Sequence, residues 1–148
     1  MYTTYNKKCD ILLVEDNPGD IRLTVEAFKE GEIKHNVHVT RNGLEAINFL
    51  KKTEDYKDAV TPDLILVDLN MPIMDGREFL KEVKQDSTLK KIPVCILSTS
   101  SAETDVSDSY NLYANSYICK PMQLNDYREV VRTVQKYWLS TVNLPEKS

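Results

Sequence analysis

Polar side chains suited to a charged binding site follow four short apolar runs of the sequence. Each run is followed by a carboxylate, a hydroxyl or an amine. Carboxylates that crowd together repel each other unless a cation or a proton compensates their charge. If these positions meet in space, they would form an oxygen-rich site for Mg²⁺, a cation that accepts one or two carboxylates plus phosphate oxygens. The positions are Glu15 and Asp16, Asp68 and Asn70, Ser98 and Thr99, and Lys120.

The elements between these positions predict a parallel sheet that would bring them together. Apolar runs at 11–14, 63–68, 93–97 and 116–119 are expected strands, and alternation at 37–39 indicates one more. Segments with apolar residues at helical spacing separate them. Five alternating β-α units predict an α/β fold, a five-stranded and doubly wound parallel sheet between two layers of helices. The carboxyl ends of such strands share one edge, where ligands bind.

Each of these residues taken alone has a simpler explanation. An aspartate or a serine after a strand is most often a cap or turn residue, and a lysine is usually solvated. An acidic pair before Asn-Pro could simply favour the start of a helix. The conjunction of carboxylates, a hydroxyl and a lysine at one sheet edge is what favours a functional site.

The composition is typical of one ordinary globular domain. The chain has 148 residues and a net charge of −4, with 41% hydrophobic and 28% charged residues. An acidic chain without a basic face argues against nucleic acid as a partner. No apolar stretch approaches the ~20 residues of a membrane span, and the N-terminus lacks the apolar region of a signal peptide. We therefore expect a cytoplasmic protein with neither nucleic acid nor membrane as partner.

Several smaller features carry expectations of their own. Cys9, Cys95 and Cys119 lie in or beside apolar runs and form no CxxC pair, so we interpret them as reduced thiols in or near the core. Residues 101–113 are rich in Ser and Asp and predict a weakly stable helix. Residues 143–148 predict a frayed tail.

Four separate motifs resemble those of response-regulator receiver domains, the phosphoryl-accepting half of two-component systems. The run Leu13-Val-Glu-Asp-Asn-Pro-Gly-Asp20 is similar to the opening of that family. The run Val67-Asp-Leu-Asn-Met-Pro-Ile-Met-Asp-Gly76 resembles the loop around its phosphoacceptor aspartate. Leu97-Ser-Thr-Ser100 and Tyr117-Ile-Cys-Lys-Pro121 resemble its switch hydroxyl and its lysine-proline pair.

The resemblance extends over about residues 9–140 and implies a flavodoxin-like receiver fold. It implies one receiver domain with terminal extensions 1–8 and 141–148 and no output domain. The Glu-Asp-Asn-Pro-Gly-Asp form and the long loop before Pro62 are most similar to stand-alone receivers that serve phytochrome-type sensor kinases. The implied phosphoryl donor is a sensor histidine kinase. The signal would then pass to a downstream protein or to a second copy of this chain.

The resemblance also implies roles for the polar residues at the strand ends. Asp68 would be the nucleophile and phosphoacceptor, and Lys120 would contact the phosphoryl oxygens. Asp16 and Asp68 would hold Mg²⁺, with Glu15 nearby through water and Asn70 through its backbone carbonyl. Such a protein accepts one phosphoryl group on itself and is not a turnover enzyme for an external substrate.

A second set of implied roles concerns the conformational switch. Ser98 would hydrogen-bond the phosphoryl group, and Tyr117 would change position on activation. Ser98 stands where the family often has threonine, and the missing methyl group would loosen the switch. Pro121 would follow a cis peptide bond, which the X-Pro linkage allows at modest cost.

Three other interpretations compete with the receiver. A haloacid-dehalogenase-type phosphatase would place its nucleophile after the first strand with a second Asp two residues on, where this chain has Asn70 after its third strand. A calcium loop beginning at Asp68 would need glycine at the position of Ile73. A receiver fold that is retained only as a binding module keeps the fold and loses the phosphoryl chemistry.

Overall fold

The computed structural model describes residues 8–31 and 34–146, in which five strands and five α-helices alternate along the chain. A 3₁₀ turn at Glu54–Tyr56 precedes the third strand, and a π-helical turn at Tyr137–Thr141 continues the last helix. The predicted α/β alternation is therefore confirmed. The elements are β1 (Asp10–Val14), α1 (Pro18–Lys29), β2 (Asn36–Thr40), α2 (Gly43–Lys51), β3 (Leu64–Val67), α3 (Gly76–Gln85), β4 (Val94–Ser98), α4 (Glu103–Asn111), β5 (Ser116–Cys119) and α5 (Leu124–Lys136).

The strands form one parallel sheet in the order β2-β1-β3-β4-β5. The order reverses between β1 and β3, as expected of a doubly wound sheet. Val14 pairs with Val67, and Ser98 pairs with Cys119, so neighbouring strands end at nearly the same level. The residues that follow these strands consequently share one edge, which we call the carboxyl edge.

Alternate residues of the central strands enter two separate core layers. Leu12, Ile65 and Ile96 pack with apolar side chains of α2 and α3, and their successors Leu13, Leu66 and Leu97 pack with those of α1 and α5. Both faces of the sheet are covered, which is why these strands are continuous apolar runs. The two layers fix the sheet, and the sheet in turn positions the residues at its carboxyl edge.

The helices differ in how firmly their ends are fixed. The Asp75 side chain accepts the Glu78 N–H while the Glu78 side chain reaches back to the Asp75 N–H, so α3 begins with a capping box. The side chain of Asn17 caps α1 in a similar way. By contrast, α4 has no side-chain cap, and Ser109 is its single buried residue. The helix expected within 101–113 is present and has few anchors.

Three expectations about the periphery need correction or remain open. Cys9 and Cys95 are buried, but Cys119 is exposed because it ends the edge strand β5. Leu144 is buried in the α1–α5 layer, so the expected frayed tail is wrong at this apolar residue. Residues 147–148 and most of the expected extension 1–8 lie outside the described residues. None of the helices in the described part of the chain has the length and hydropathy of a membrane span.

Candidate phosphoryl-transfer site

The carboxylates predicted to converge at the carboxyl edge lie close together. Glu15 and Asp16 follow β1, and Asp68 follows β3. Each contributes an oxygen atom, and the three oxygens lie within 4.8 Å of one another. Glu15 is buried, whereas Asp16 and Asp68 are half-buried. The expected acidic site therefore exists, with one face open to solvent.

Lys120 lies at the centre of this group, directly after β5. Its Nζ donates hydrogen bonds to Glu15 Oε1 at 2.5 Å and to Asp68 Oδ2 at 3.2 Å. A third hydrogen bond of 2.9 Å reaches Asp20 Oδ2. The lysine side chain is only 4% exposed, so its charge is compensated by protein carboxylates. One ammonium faces several carboxylates, and the site carries excess negative charge.

This crowding shifts the proton affinity of two of the groups. Burial raises the pKa of Glu15 to about 7, and the charge of Asp68 adds to the shift while Lys120 opposes it. Burial alone would lower the pKa of Lys120. The hydrogen bond to Glu15 and the charges of Glu15 and Asp68 outweigh burial, so the Lys120 pKa lies above its usual value. Lys120 is therefore a permanent cation, and Glu15 binds a proton more tightly than an ordinary glutamate does.

The donor set at this edge fits a divalent cation. The three clustered carboxylates offer hard oxygen ligands, and the single positive charge of Lys120 balances only part of their negative charge. Asn70 is exposed and lies beside the same group, because its N–H donates to Asp68 Oδ1 at 3.4 Å. The chemistry of the residues agrees with the predicted metal site.

Gly76 holds the loop after β3 against the end of that strand. The Gly76 N–H donates to the Leu69 carbonyl at 2.9 Å. A Cβ atom at Gly76 would collide with the Asp68 carbonyl oxygen and would lie 2.8 Å from Leu69 Cα. Only glycine allows this approach. The Met-Asp-Gly end of the loop therefore fixes where the Asp68 backbone sits.

The predicted switch residues lie on two neighbouring strands, Ser98 on β4 next to β3 and Tyr117 on β5 one strand further. Ser98 ends β4, is fully buried, and accepts the Ser100 N–H on its Oγ at 3.2 Å. Tyr117 lies on the neighbouring strand β5, opposite Ile96. Its hydroxyl donates to the Ser100 carbonyl at 2.8 Å. The loop after β4 thus links the predicted switch hydroxyl to the predicted switch aromatic residue.

The cis peptide bond expected before Pro121 is absent. No peptide bond among the described residues is cis, so this linkage is trans. Trans is favoured by about 0.5–1 kcal/mol at X-Pro bonds, and a Lys-Pro sequence permits the cis form without requiring it. Lys120 is positioned instead by its N–H bond to the Ser98 carbonyl at 2.6 Å and by its carboxylate partners.

Asp20 is a site residue that the strand-end reasoning did not identify. It lies in the first turn of α1, where its N–H donates to the Asn17 side chain at 3.0 Å. Its carboxylate is 30% exposed and contacts Lys120. The available signal was its position three residues after the capping Asn17, which directs an acidic side chain toward the sheet edge. An acidic residue in a first helical turn is common for reasons of helix stability alone.

The fold and the site define a class of protein. A profile of the response regulator receiver domain matches residues 11–132. The order of the elements, the acidic group after β1 and β3, and the lysine after β5 agree with that match. The chain belongs to the response regulator receiver domain family.

Within this family, the chain is similar to particular response regulators, and one of them is a cyanobacterial phytochrome response regulator. The chain is 46% identical to response regulator Rcp1 of Synechocystis sp. over 135 residues, which is 91% of this chain and 92% of Rcp1. The crystal structure of the phosphorylated cyanobacterial phytochrome response regulator RcpA is similar with a TM-score of 0.91 and 47% identity, over 94% of this chain and 99% of RcpA. The Mn²⁺-bound form of Rcp1 matches with a TM-score of 0.89 and 45% identity, over 93% and 99% of the two chains.

Proposed function

We propose that this response regulator accepts a phosphoryl group on Asp68, with Mg²⁺ as cofactor, and passes the signal on by a change of conformation. The observation that carries the proposal is the contact between Lys120 and Asp68 inside the cluster of Glu15 and Asp16. A nucleophilic carboxylate, a fixed cation and further oxygen ligands are the groups that phosphoryl transfer needs. The alternatives of a phosphatase and a calcium loop lack such support.

The transfer is a substitution at phosphorus. An oxygen of Asp68 forms a bond to the phosphorus of a phosphohistidine as the P–N bond breaks, and the leaving imidazole keeps the electron pair and takes up a proton. The product is an aspartyl phosphate. Lys120 Nζ lies 3.2 Å from the Asp68 carboxylate, where it can contact the new phosphoryl oxygens and compensate their charge.

The implied Mg²⁺ would be held by the carboxylates of Asp16 and Asp68, with Glu15 contributing through water and Asn70 through its carbonyl. When bound, it compensates charge on the phosphoryl oxygens. The protein residues do the rest. Glu15 keeps Lys120 in place through the 2.5 Å hydrogen bond, and Gly76 keeps the Asp68 backbone against the loop that carries Asn70.

Ser98 and Tyr117 are the groups through which we expect the phosphoryl group to change the surface. The Ser98 hydroxyl accepts one backbone N–H and retains its own hydrogen for donation to an anion. Tyr117 is bonded to the same loop. Binding of the phosphoryl group by Ser98 would fix this loop in one conformation, and with it α4 and β5, and this face would act on a downstream protein or on a second copy of the chain.

The donor in our proposal is a sensor histidine kinase of the phytochrome type. This proposal rests on the similarity of the chain to a cyanobacterial phytochrome response regulator. We propose a single receiver domain over residues 9–140 without turnover of an external substrate. We propose the cytoplasm as the compartment in which the kinase and this protein meet.

The test is intact-mass spectrometry after incubation with acetyl phosphate and Mg²⁺. We expect the wild type to gain one phosphoryl group, with no gain in Asp68→Asn or when Mg²⁺ is removed by a chelator. If the folded wild type gains nothing from acetyl phosphate, a phosphorylated sensor histidine kinase is used as the donor. No gain from either donor would reject the proposal and favour the binding-module interpretation.

A further inference from the structure

Ser100 takes part in five hydrogen bonds at the start of the loop after β4, one of which the Cys119 thiol donates to the Ser100 carbonyl at 3.5 Å. Its N–H donates to Ser98 Oγ at 3.2 Å, and its carbonyl accepts the Tyr117 hydroxyl at 2.8 Å. Its own hydroxyl donates to Asp105 Oδ2 at 2.5 Å and accepts the Ala102 N–H at 3.2 Å. One residue thus contacts both proposed switch residues with its backbone and α4 with its side chain.

Asp105 continues this chain of contacts to another helix. It lies in the first turn of α4 and forms an ion pair with Arg77 in the first turn of α3. The two side chains are 26% and 32% exposed, so water screens their attraction only in part. Because Gly76 fixes the start of α3 against the Asp68 backbone, the backbone of Arg77, the next residue, is held near the end of β3.

The rest of α4 offers few competing anchors. Its N-cap residue Ala102 provides no side-chain hydrogen bond, and Ser109 is its single buried residue. The contacts of Asp105 with Arg77 and Ser100 are therefore a large share of what fixes the start of this helix. The loop between β4 and α4 joins a buried strand to a helix with few anchors, so these contacts determine its conformation.

We propose that Arg77, Asp105 and Ser100 form a latch that positions Ser98 and Tyr117 for the phosphoryl group on Asp68. This inference rests on the proposed function. The ion pair holds Asp105, Asp105 orients the Ser100 hydroxyl, and the Ser100 N–H occupies an acceptor position of Ser98. The Ser98 hydrogen is then free to be donated to the anion on Asp68. These three are positioning residues and do not contact the reacting atoms.

Removing the ion pair of the latch should destabilise the phosphorylated state relative to the unphosphorylated one, and it should leave the metal site unchanged. Without the pair, the loop samples more conformations, and binding of the anion must select one of them. We expect Asp105→Asn to reduce the affinity for beryllofluoride, an analogue of the phosphoryl group, by about five-fold or more, the lower range of coupling between sites. Mg²⁺ affinity should not change, because Glu15, Asp16 and Asp68 keep their positions.

The experiment is calorimetric titration with beryllofluoride in the presence of Mg²⁺, together with titration of Mg²⁺ alone. Asp108→Asn is the matched control, since it removes the same charge from an exposed position of the same helix. Arg77→Ala should reduce the affinity for beryllofluoride as much as Asp105→Asn does. The double variant should have an affinity only slightly lower than that of either single variant, because the two residues act as one pair. Asp105→Glu, which retains the charge, should recover most of the affinity.

The outcomes separate the latch from the proposed function. If Asp105→Asn binds beryllofluoride as tightly as Asp108→Asn, the latch is rejected while the proposed function stands. If Asp105→Asn binds Mg²⁺ and beryllofluoride more weakly by the same factor, the variant has lost structure in general, and the latch is also rejected. If the wild type itself binds no beryllofluoride and gains no phosphoryl group from acetyl phosphate or a kinase, the proposed function fails, and the latch fails with it.

Discussion

Strand β3 has an aspartate beyond each end, and the two are held in opposite ways. Asp63 precedes the strand, is 8% exposed, and accepts the Asp10 N–H at 2.8 Å while its own N–H donates to the Asp10 carbonyl. Asp68 follows the strand, and its carboxylate accepts hydrogen bonds from Lys120 and from the Asn70 N–H. One aspartate ties β1 to β3, and the other lies in an acidic cluster.

The difference shows what makes a carboxylate available for chemistry. Asp63 is bonded to a backbone N–H of a buried strand, a donor that cannot leave without breaking the sheet. Asp68 accepts a hydrogen bond from an ammonium group that it shares with Glu15 and Asp20, and it lies among other carboxylates. Its contacts can therefore rearrange, without loss of a sheet hydrogen bond, when a metal or a phosphoryl group arrives. The same residue type is therefore structural at the amino ends of the strands, which we call the amino edge, and is the proposed phosphoacceptor at the carboxyl edge.

The largest effect should follow from removing the cation of the carboxyl edge. Lys120→Met leaves the buried Glu15 carboxylate without its partner, and breaking a buried pair from one side costs about 3–5 kcal/mol. Urea unfolding without metal at pH 8 measures the loss. The double variant Glu15→Gln, Lys120→Met should recover much of the stability and none of the phosphoryl acceptance. Full activity in either variant would contradict the role given to Lys120.

A smaller loss of stability is expected from a substitution at the amino edge. Asp63→Ala leaves the Asp10 N–H without this acceptor, which costs about 1–3 kcal/mol. Phosphoryl transfer from acetyl phosphate should continue at the wild-type extent, as measured by intact mass. Asp58→Ala, at an exposed position of the preceding loop, is the control and should be neutral in both assays. A loss of phosphorylation in folded Asp63→Ala would contradict the separation of the two edges.

The pH dependence of stability should distinguish the edges further. The Glu15 pKa is raised from 4.5 to about 7, mainly by burial. Between these values the folded state keeps a proton that the unfolded state has lost, so this residue makes the metal-free protein less stable as the pH rises through that range. The difference between wild type and Glu15→Gln in urea unfolding isolates the effect. The account is contradicted if, as the pH rises from about 4.5 to 7, the stability of the wild type relative to Glu15→Gln stays constant or increases.

The smallest expected effect is a difference in reactivity between the buried and the exposed cysteine thiols. Cys9 and Cys95 are buried, and burial raises the pKa of the Cys95 thiol to about 11. Cys119 is exposed at the end of β5. A disulfide reagent should modify one thiol rapidly in the native protein, and Cys119→Ser should lose that reaction. Rapid reaction of either remaining thiol in native Cys119→Ser would contradict the burial of Cys9 and Cys95.

The sequence was sufficient to predict the carboxyl edge because parallel topology leaves few choices. Apolar runs buried on both faces, separated by helices, must align their ends, so residues after β1, β3 and β5 meet whatever the details of the loops. Glu15, Asp68 and Lys120 follow from that rule. The roles given to these residues remain proposals, because the alignment of strands brings groups together without revealing what they bind.

The remaining features depend on packing for which the local sequence offers an ambiguous signal or none. Asp20 reaches Lys120 from a helix turn, where an acidic residue is expected for capping reasons alone. Leu144 is a single apolar residue in a polar tail, and nothing nearby in the sequence predicts the layer that it enters. Cys119 differs from Cys95 only because β5 is an edge strand. Such differences arise from the assembled sheet.

The most direct test of the account compares the two aspartates of β3 in one experiment. Asp63→Asn and Asp68→Asn each remove one carboxylate charge, and both are assayed for the free energy of unfolding and for phosphoryl gain from acetyl phosphate with Mg²⁺. We predict that Asp68→Asn abolishes phosphorylation and leaves the metal-free protein as stable or more stable, because charge repulsion is relieved. Asp63→Asn should lose stability and keep phosphorylation. Phosphorylated Asp68→Asn, or folded Asp63→Asn that fails to be phosphorylated, would contradict the account.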